Sequence, residues 1–440
     1  MPLVSTTMYK KINLLGIVCL CWLSFAQAQT ENSPYSRYGL GDVVPGQNML
    51  TRGMGGVSAA YYDFNTINFI NPASYGRLQA TTLDLGFEMI NRTLRADNPA
   101  RKYSSYSPNI SYIQLAFPLK KGGGWGLNLG LRPITRINYK IGQGERLNLG
   151  IPGDTFDIST LYEGNGGSYE AHIGTGVAIT RDLTIGVNFG YTFGSKDYST
   201  RKAILDTLAY YYKSNHETKT NFGGAMLNAG IQYTARLDKK NWLRFGAYGN
   251  LEAKYNGHQD IIRETFEYNS TSGAPQPIDS VYTEKDVKGD INYPASFGAG
   301  IIYDRLGKWQ IGVDYAQQQW SNYRFYGAKD SVQNSWQMKI GAQITPGGGK
   351  SYWNFVSYRA GFQFGQDYIK VDGDLPTWTL SAGIGLPMRK PAYTNQFSVI
   401  NTVFEFGKRG NNKNLVRESF FRIGIGLSLS DIWFTKYKYD

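Results

Sequence analysis

The chain has 440 residues, of which 46 are Lys or Arg and 34 are Asp or Glu, giving a formal net charge of +12. Charged residues make up only 18% and aromatic residues reach 15%, a composition that excludes a disordered chain. Apolar runs of about 18 residues, as membrane-spanning helices require, do not follow the first thirty residues. The abundance of β-forming residues favours a large β protein.

The N-terminal segment has the three parts of an export signal. Lys10 and Lys11 form a positive region, residues 12–25 are apolar, and Ala26-Gln27-Ala28 matches an A-x-A cleavage site. We therefore predict a signal peptide over residues 1–28. The alternative is a buried N-terminal helix.

Both cysteines of the chain, Cys19 and Cys21, lie in the apolar part of this signal. Neither stands directly after the cleavage site, so we expect no lipid anchor, and the mature chain has no cysteine. Removing two lysines and no acids leaves 44 basic and 34 acidic residues. This excess is spread over turns and loops, and we expect no nucleic-acid partner for an exported protein.

Residues 29–80 are rich in Gly, Asn and Pro and show no alternation of apolar and polar residues. About fifty residues are too many for a simple tail, and several of them are apolar. If the rest of the chain closes into a barrel of fourteen strands, its lumen is wider than wall side chains alone would fill. We therefore predict that residues 29–80 fold inside the barrel as a plug or hatch.

From residue 81 to the end, apolar and polar residues alternate with the period of a β-strand, most clearly in LTIGVNFGYTF at 183–193. This pattern predicts fourteen strands, near residues 82–90, 110–119, 124–139, 169–180, 182–193, 222–237, 242–255, 294–303, 308–317, 335–344, 353–365, 376–386, 396–406 and 418–430.

The predicted strands are joined alternately by long and tight connections, such as 256–293 and KKGGG at 120–124. Outer-membrane barrels have this asymmetry, with long loops outside and short turns in the periplasm. Tryptophans near strand ends fit interfacial girdles. The sequence thus predicts an all-β, antiparallel transmembrane barrel over residues 81–440, in contact with the lipids of a Gram-negative outer membrane. The alternative is a secreted soluble β-sandwich or propeller.

Residues that carry chemistry are sparse in this sequence. His172 falls on the polar face of a predicted strand, while His216 and His258 fall in predicted loops, and no metal-ligand spacing is found. TPGGGKS at 345–351 fails as a phosphate loop because position 344 is Ile344 rather than glycine. We therefore expect neither an enzyme nor a cofactor. Inward acids such as Glu88 are expected to brace the barrel by pairing with inward arginines.

Two motifs in residues 29–80 resemble the hatch of the FadL-like long-chain fatty-acid transporter family: RGMGGVSAA at 52–60 and NPA at 71–73. That family consists of fourteen-stranded outer-membrane barrels, so the resemblance covers essentially the whole mature chain. It implies a hatch or gating role for a set of plug residues, namely Gly53, Gly55, Gly56, Asn71, Pro72 and Ala73. For residues 71–73 the alternative is an ordinary Asn-Pro turn.

The resemblance also implies passive uptake of a hydrophobic small molecule, which leaves through a gap in the wall at the third strand. Pro133 lies in the predicted third strand and is the candidate for this lateral opening, because proline cannot donate to a β-ladder. The alternative is that Pro133 simply starts an extracellular loop.

Three functions compete for this sequence. The first is the hydrophobic channel, which requires an apolar pocket between hatch and wall. The second is an accessory barrel of a protein secretion or assembly complex, in which loops 194–221 and 256–293 bind a protein and the lumen stays plugged. The C-terminal DIWFTKYKYD also resembles the ends of FadL-like barrels of type IX secretion. The third, a general diffusion pore, is disfavoured because the plug would block it.

Overall fold

A computed structural model describes residues 33–97, 99–148, 155–205, 210–371, 373–388 and 396–432. The predicted signal peptide lies outside these residues. The wall is one antiparallel sheet of fourteen strands: β1 Thr81–Asp97, β2 Ala100–Pro118, β3 Trp125–Asn148, β4 Thr155–Ala178, β5 Leu183–Leu205, β6 Lys213–Arg236, β7 Asn241–Asn250, β8 Ser296–Arg305, β9 Trp309–Gln318, β10 Ser335–Ile344, β11 Ser357–Lys370, β12 Asp374–Pro387, β13 Phe397–Arg409 and β14 Val416–Asp431.

The sheet closes because the last strand pairs with the first, from Asp431 opposite Thr81 to Val416 opposite Ala96. Closure leaves every strand with a neighbour on both sides, which a barrel in lipid requires. The predicted all-β barrel of fourteen antiparallel strands is confirmed.

Alternation sorts the side chains of each strand between lipid and lumen. In β5, Phe189 is 57% exposed on the outer surface, whereas Thr184 and Asn188 are buried towards the lumen. Trp125 and Trp309 begin β3 and β9 at the periplasmic end, and Trp336 stands at the opposite end of β10. Apolar bands between aromatic girdles are typical of outer-membrane barrels. Among the described residues, no helix is long and apolar enough to cross a membrane.

The two long connections predicted as loops are instead strands. Residues 194–221 belong mostly to β5 and β6, which pair out to Lys202 opposite Ser214. Residues 256–293 form a β-hairpin of Ala253–Tyr268 and Pro275–Tyr293, here called the outer hairpin. Its first strand pairs with β6, with Phe266 opposite Lys213.

The loop prediction failed because these segments rise beyond the membrane. There both sheet faces carry polar and charged residues, including buried ones such as Lys196 and Thr220, and these hide the alternation that marks the wall. For the same reason His216 and His258, predicted in loops, lie in β6 and in the outer hairpin.

The segment before β1 lies inside the barrel, as predicted, and residues 33–80 are called the plug below. It contains a 3₁₀-helix Pro34–Arg37, a short strand Asp42–Val43, α1 Met49–Gly53 and a second 3₁₀-helix Pro72–Arg77. Ser33 donates its N–H to the Asn138 carbonyl in the upper part of β3, 3.0 Å away. The plug therefore starts near the extracellular mouth and descends to the periplasmic end, where β1 begins.

An aromatic cluster covers the plug at the extracellular mouth. It is built on the 3₁₀-helix Trp320–Asn322, which precedes the short strand Arg324–Phe325. The Trp320 ring stacks on Tyr368 with centroids 4.2 Å apart, and the plug residues Tyr35 and Leu40 join the same core. On the periplasmic side, the turn between β10 and β11 contains a 3₁₀-helix, Tyr352–Asn354.

Candidate functional site in the lumen and the wall

The glycine-rich stretch of the plug lies in direct backbone contact with the wall. α1 is capped by Asn48, whose side chain accepts from the Thr51 N–H at 2.9 Å, and it ends at Gly53. Gly55 and Gly56 follow with φ of 67° and 82°, the left-handed region that glycine adopts freely.

Wall glycines face this stretch and leave room for it. A Cβ added at Gly361 would lie 2.0 Å from the Gly55 nitrogen, and one added at Gly341 would lie 2.0 Å from the Met54 carbonyl oxygen. Glycines on both sides therefore allow close approach, with Gly53 facing Gly383 in the same way. Gly55 also donates its N–H to the Ser381 hydroxyl at 3.0 Å.

Asn71, Pro72 and Ala73 fasten the lower part of the plug. Asn71 caps the second 3₁₀-helix by accepting from the Ala73 N–H at 3.1 Å, and Pro72 occupies its first position. The Asn71 amide donates to the Ala59 carbonyl at 2.6 Å and to the wall carbonyl of Ile231 at 3.2 Å. The motif is therefore a turn whose side chain also bonds the plug to the wall.

A buried ionic cluster holds α1 in place. Arg52 contacts Glu88 of β1 at 2.8 Å and Glu405 of β13 at 2.6 Å. Arg422 of β14 contacts the same Glu405 at 2.8 Å, and Arg136 of β3 contacts Glu88 at 3.0 Å. The side chains of Arg52 and Glu88 are each 1% exposed. A buried charge is stable only when it is paired, so the plug and four wall strands, β1, β3, β13 and β14, form one unit.

A second ionic cluster lies above the first, at the short plug strand. Asp42 contacts Arg92 of β1 at 2.9 Å and Arg409 of β13 at 2.7 Å. Both arginines also contact Glu418 of β14, and Arg409 contacts Asp367 of β11. The plug thus contributes one cation, Arg52, to the first cluster and one anion, Asp42, to the second, and each is matched by opposite charges on the wall.

The wall has a break in its hydrogen bonding between β2 and β3. Within the described residues, these strands pair only from Pro118–Gly126 up to Ile113–Leu131, although both continue far beyond. Pro133 of β3 lies just above this point, next to a register shift against β4. Pro108 lies on the opposing strand β2, and proline has no N–H to donate across the break.

The plug fills one side of this break. Asp42 and Val43 pair with Arg136 and Thr135 of β3, and Val44 donates to the Ile134 carbonyl at 2.9 Å. The edge of β3 is therefore bonded to the plug instead of to β2. The break between β2 and β3 above residues 113 and 131 is called the wall gap below.

A cavity of ≈ 290 Å³ lies between the plug and the upper wall. Pro133, Val43 and Val44 line it at the wall gap. Polar or charged residues make up most of the rest of the lining, among them Gln47, Arg132, Asn228, Gln317, Lys339, Gln363, Thr379, Lys408 and Arg409. Apolar and aromatic side chains also contribute, among them Ile70, Met226, Phe297, Trp336 and Phe420. The lining is therefore mixed, and it is more polar than the pocket that the hydrophobic-channel hypothesis requires.

The structure separates the predicted site residues into two groups. Pro133 lines the cavity at the wall gap, whereas the six predicted hatch residues are at plug–wall contacts outside its lining. Inward acids do pair with inward arginines: Arg132 contacts Glu170 at 3.2 Å, and Glu88 pairs with Arg136 of the wall as well as with Arg52 of the plug. Among the described residues, no cluster of three potential metal ligands occurs.

Arg52 is the main residue that the sequence analysis missed as a site residue. Two features of the sequence pointed to it. Arg52 is the first residue of the glycine-rich motif, and the alternation of residues places Glu88 and Glu405 on the lumen side of their strands. Nothing in the spacing of residues 52, 88 and 405 pointed to their meeting.

A family model described as BamG matches residues 8–440. The chain belongs to the BamG family. No curated protein matches the chain.

Solved structures of low sequence identity share the fold. The Pseudomonas putida toluene transporter TodX is 17% identical, over 89% of this chain and 100% of its own, with a TM-score of 0.55. A Pseudomonas aeruginosa FadL homologue is 11% identical over 90% and 100%, with a TM-score of 0.55. The CymD monoaromatic hydrocarbon channel is 17% identical over 91% and 100%, with a TM-score of 0.52. This BamG-family chain therefore has the fold of the FadL-like outer-membrane barrels, which confirms the predicted resemblance and fold and agrees with the predicted location in a Gram-negative outer membrane.

Proposed function

We propose that this BamG-family barrel is an accessory, partner-binding subunit of an outer-membrane protein-assembly complex, and that it works with its lumen plugged. The family name associates its members with the Bam assembly machine. The observation that carries the proposal is the buried cluster of Arg52, Glu88 and Glu405. Fold alone does not decide function, because one barrel architecture serves many roles.

The ionic clusters make displacement of the plug costly. Moving α1 away from the wall would leave the charges of Glu88 and Glu405 without Arg52, and breaking a buried pair costs about 3–5 kcal/mol. Separating Asp42 from Arg92 and Arg409 adds a second cost of the same kind. A hydrophobic ligand that enters this cavity of mixed lining gains less binding energy to offset these costs than it would in an apolar pocket.

The experiment is native mass spectrometry of the protein after gentle extraction from its own outer membrane. We expect a stoichiometric protein partner and no hydrophobic small molecule in the lumen. A bound fatty acid or aromatic compound at one per barrel, without a partner, would contradict the proposal. The Pseudomonas putida toluene transporter TodX, extracted in the same detergent, is the control for retention of a small ligand.

A second candidate function, passive uptake of a hydrophobic compound, is favoured by the wall gap. In this alternative, Pro133 keeps β3 from pairing with β2, and ligand leaves sideways, with Gly53, Gly55 and Gly56 acting as the hinge of a moving hatch. The test is dye uptake into liposomes that contain the Pro133→Val variant, with Pro346→Val in a periplasmic turn as the matched control. Reduced uptake for Pro133→Val alone would support the channel, and equal uptake would count against it.

A further inference from the structure

An exposed apolar patch lies at the extracellular end of the barrel. It lies at the tips of β5 and β6 and along the outer hairpin, and we call it the tip patch. Its members are Leu205, Tyr210, Tyr212, Tyr268, Ile278 and Val281. Val281 is 73% exposed and Tyr210 70%.

Ring contacts link the three tyrosines of the tip patch, since the Tyr210 and Tyr212 ring centroids are 5.5 Å apart and Lys213 lies between Tyr210 and Tyr268. Lys213 lies 6.0 Å from the Tyr210 ring and 5.9 Å from the Tyr268 ring. Ile278 and Val281 sit in two bulges of the hairpin strand that pairs with residues 253–268. The bulges keep this outer strand irregular, which disfavours simple addition of another strand to its edge. We therefore expect a partner to bind the side chains of the tip patch rather than to form backbone hydrogen bonds with the edge of the outer hairpin.

The membrane does not cover the tip patch. β7 to β10 each cross with ten residues, whereas β5 continues from Leu183 to Leu205. The twelve or so extra residues correspond to roughly 40 Å of strand, most of it beyond the lipid. Apolar side chains held this far into water are typical of a protein interface, and tyrosine is among the residues enriched there.

The outer hairpin is acidic although the chain as a whole is basic. Residues 253–293 contain seven acidic side chains and four Lys or Arg side chains: Asp260, Glu264, Glu267, Asp279, Glu284, Asp286 and Asp290 against Lys254, Arg263, Lys285 and Lys288. A hydrogen bond from Lys213 lowers the pKa of Glu267, and one from His258 lowers the pKa of Asp286. Both carboxyl groups are therefore ionised at neutral pH.

We infer that the tip patch is the docking surface for a protein partner whose contacting surface is apolar and basic. The inference rests on the proposed function and names the chemistry of its partner. The tip patch stands beyond the lipid and the hairpin beside it is acidic, which disfavours anionic lipid headgroups as the occupant. A protein surface that is both apolar and basic complements the apolar side chains of the tip patch and the negative charge of the outer hairpin.

The experiment is photo-cross-linking in the native outer membrane. The variant Tyr210→p-benzoylphenylalanine places the probe in the tip patch. The matched control, Leu415→p-benzoylphenylalanine, places it on the extracellular turn between β13 and β14, where Leu415 is 68% exposed. Each is also made in combination with Asp279→Lys and Glu284→Lys, which reverse the charge of the outer hairpin.

We expect the Tyr210 probe, and not the Leu415 probe, to cross-link one protein through a peptide with more Lys and Arg than Asp and Glu. Charge reversal should lower the yield by about tenfold. Cross-links to a second copy of this chain, to lipopolysaccharide, or to nothing beyond the control would overturn the inference, as would a yield that charge reversal leaves unchanged.

Native mass spectrometry of the same variants separates two kinds of failure. A complex that survives intact without a Tyr210 cross-link would overturn the tip patch and leave the proposed function standing. Loss of any protein complex from the unmodified chain, with a hydrophobic ligand in the lumen, would overturn the proposed function itself.

Discussion

The substitution Arg52→Met tests whether the buried ionic cluster holds the plug in the barrel. Methionine keeps much of the length and the apolar stem of arginine but removes the charge and all hydrogen-bond donors. Arg52 makes three hydrogen bonds, of 2.6 to 3.1 Å, to Glu88 and Glu405. All three are lost in the variant.

The expected loss of stability depends on which arginines still contact Glu88 and Glu405 once Arg52 is replaced. Removing one partner of a buried ion pair typically costs about 3–5 kcal/mol. Glu405 retains Arg422 at 2.8 Å and Glu88 retains Arg136 at 3.0 Å, so neither becomes fully unpaired. We therefore expect the lower end, about 3 kcal/mol, for the free energy of local plug opening. At 1.36 kcal/mol per factor of ten, this corresponds to roughly a hundredfold.

The assay is hydrogen exchange of the folded barrel in detergent, followed by mass spectrometry of peptides from residues 49–60. In the regime where closing outpaces exchange, the rate reports the opening free energy directly. The matched control is Arg236→Met, which removes a wall arginine paired with Asp182, with both side chains well exposed. Such a pair contributes less than about 1 kcal/mol, so exchange in residues 49–60 should stay unchanged.

An equal rate of exchange in Arg52→Met and Arg236→Met would refute the reasoning. It would mean that the glycine contacts and hydrogen bonds of the plug hold it without the ionic cluster. Exchange that rises in peptides of β1 and β13 as much as in the plug would point to loosening of the wall instead.

Three further predictions concern the contacts of the plug. Gly361→Ala places a Cβ 2.0 Å from the Gly55 nitrogen and should destabilise the plug by about 1–3 kcal/mol, measured as the same exchange of residues 49–60. Asn71→Ala removes the amide that donates to the Ala59 and Ile231 carbonyls and the acceptor of the Ala73 N–H, and should cost about 1–3 kcal/mol; limited proteolysis of the plug checks this, and unchanged cleavage would contradict it. Val44→Pro removes the N–H that bonds the Ile134 carbonyl and should increase leakage of a hydrophobic dye through the wall gap in liposomes; unchanged leakage would show that this bond does not close the wall.

The sequence by itself determined the wall and its strand number. Alternation is a local property, because successive side chains of a strand face opposite sides, and each membrane-spanning segment displays it within about ten residues. The same property misled the prediction at 194–221 and 256–293, where the strands leave the lipid and alternation fades. Gly53, Gly55 and Gly56 were singled out only by their resemblance to a hatch motif, and the facing wall glycines show that they allow close backbone contact.

Only the tertiary structure decided what the lumen contains and where the wall opens. Arg52 meets Glu88 and Glu405, residues 36 and 353 positions away, because closure brings β1 and β13 to opposite sides of β14. The sequence indicated that Pro133 interrupts the hydrogen bonding of the wall. Where β2 and β3 stop pairing, at Ile113, and the pairing of β3 with Asp42 and Val43 above that point both depend on the path of the plug. Such contacts come from closing the sheet around a folded segment, and local periodicity carries no information about that step.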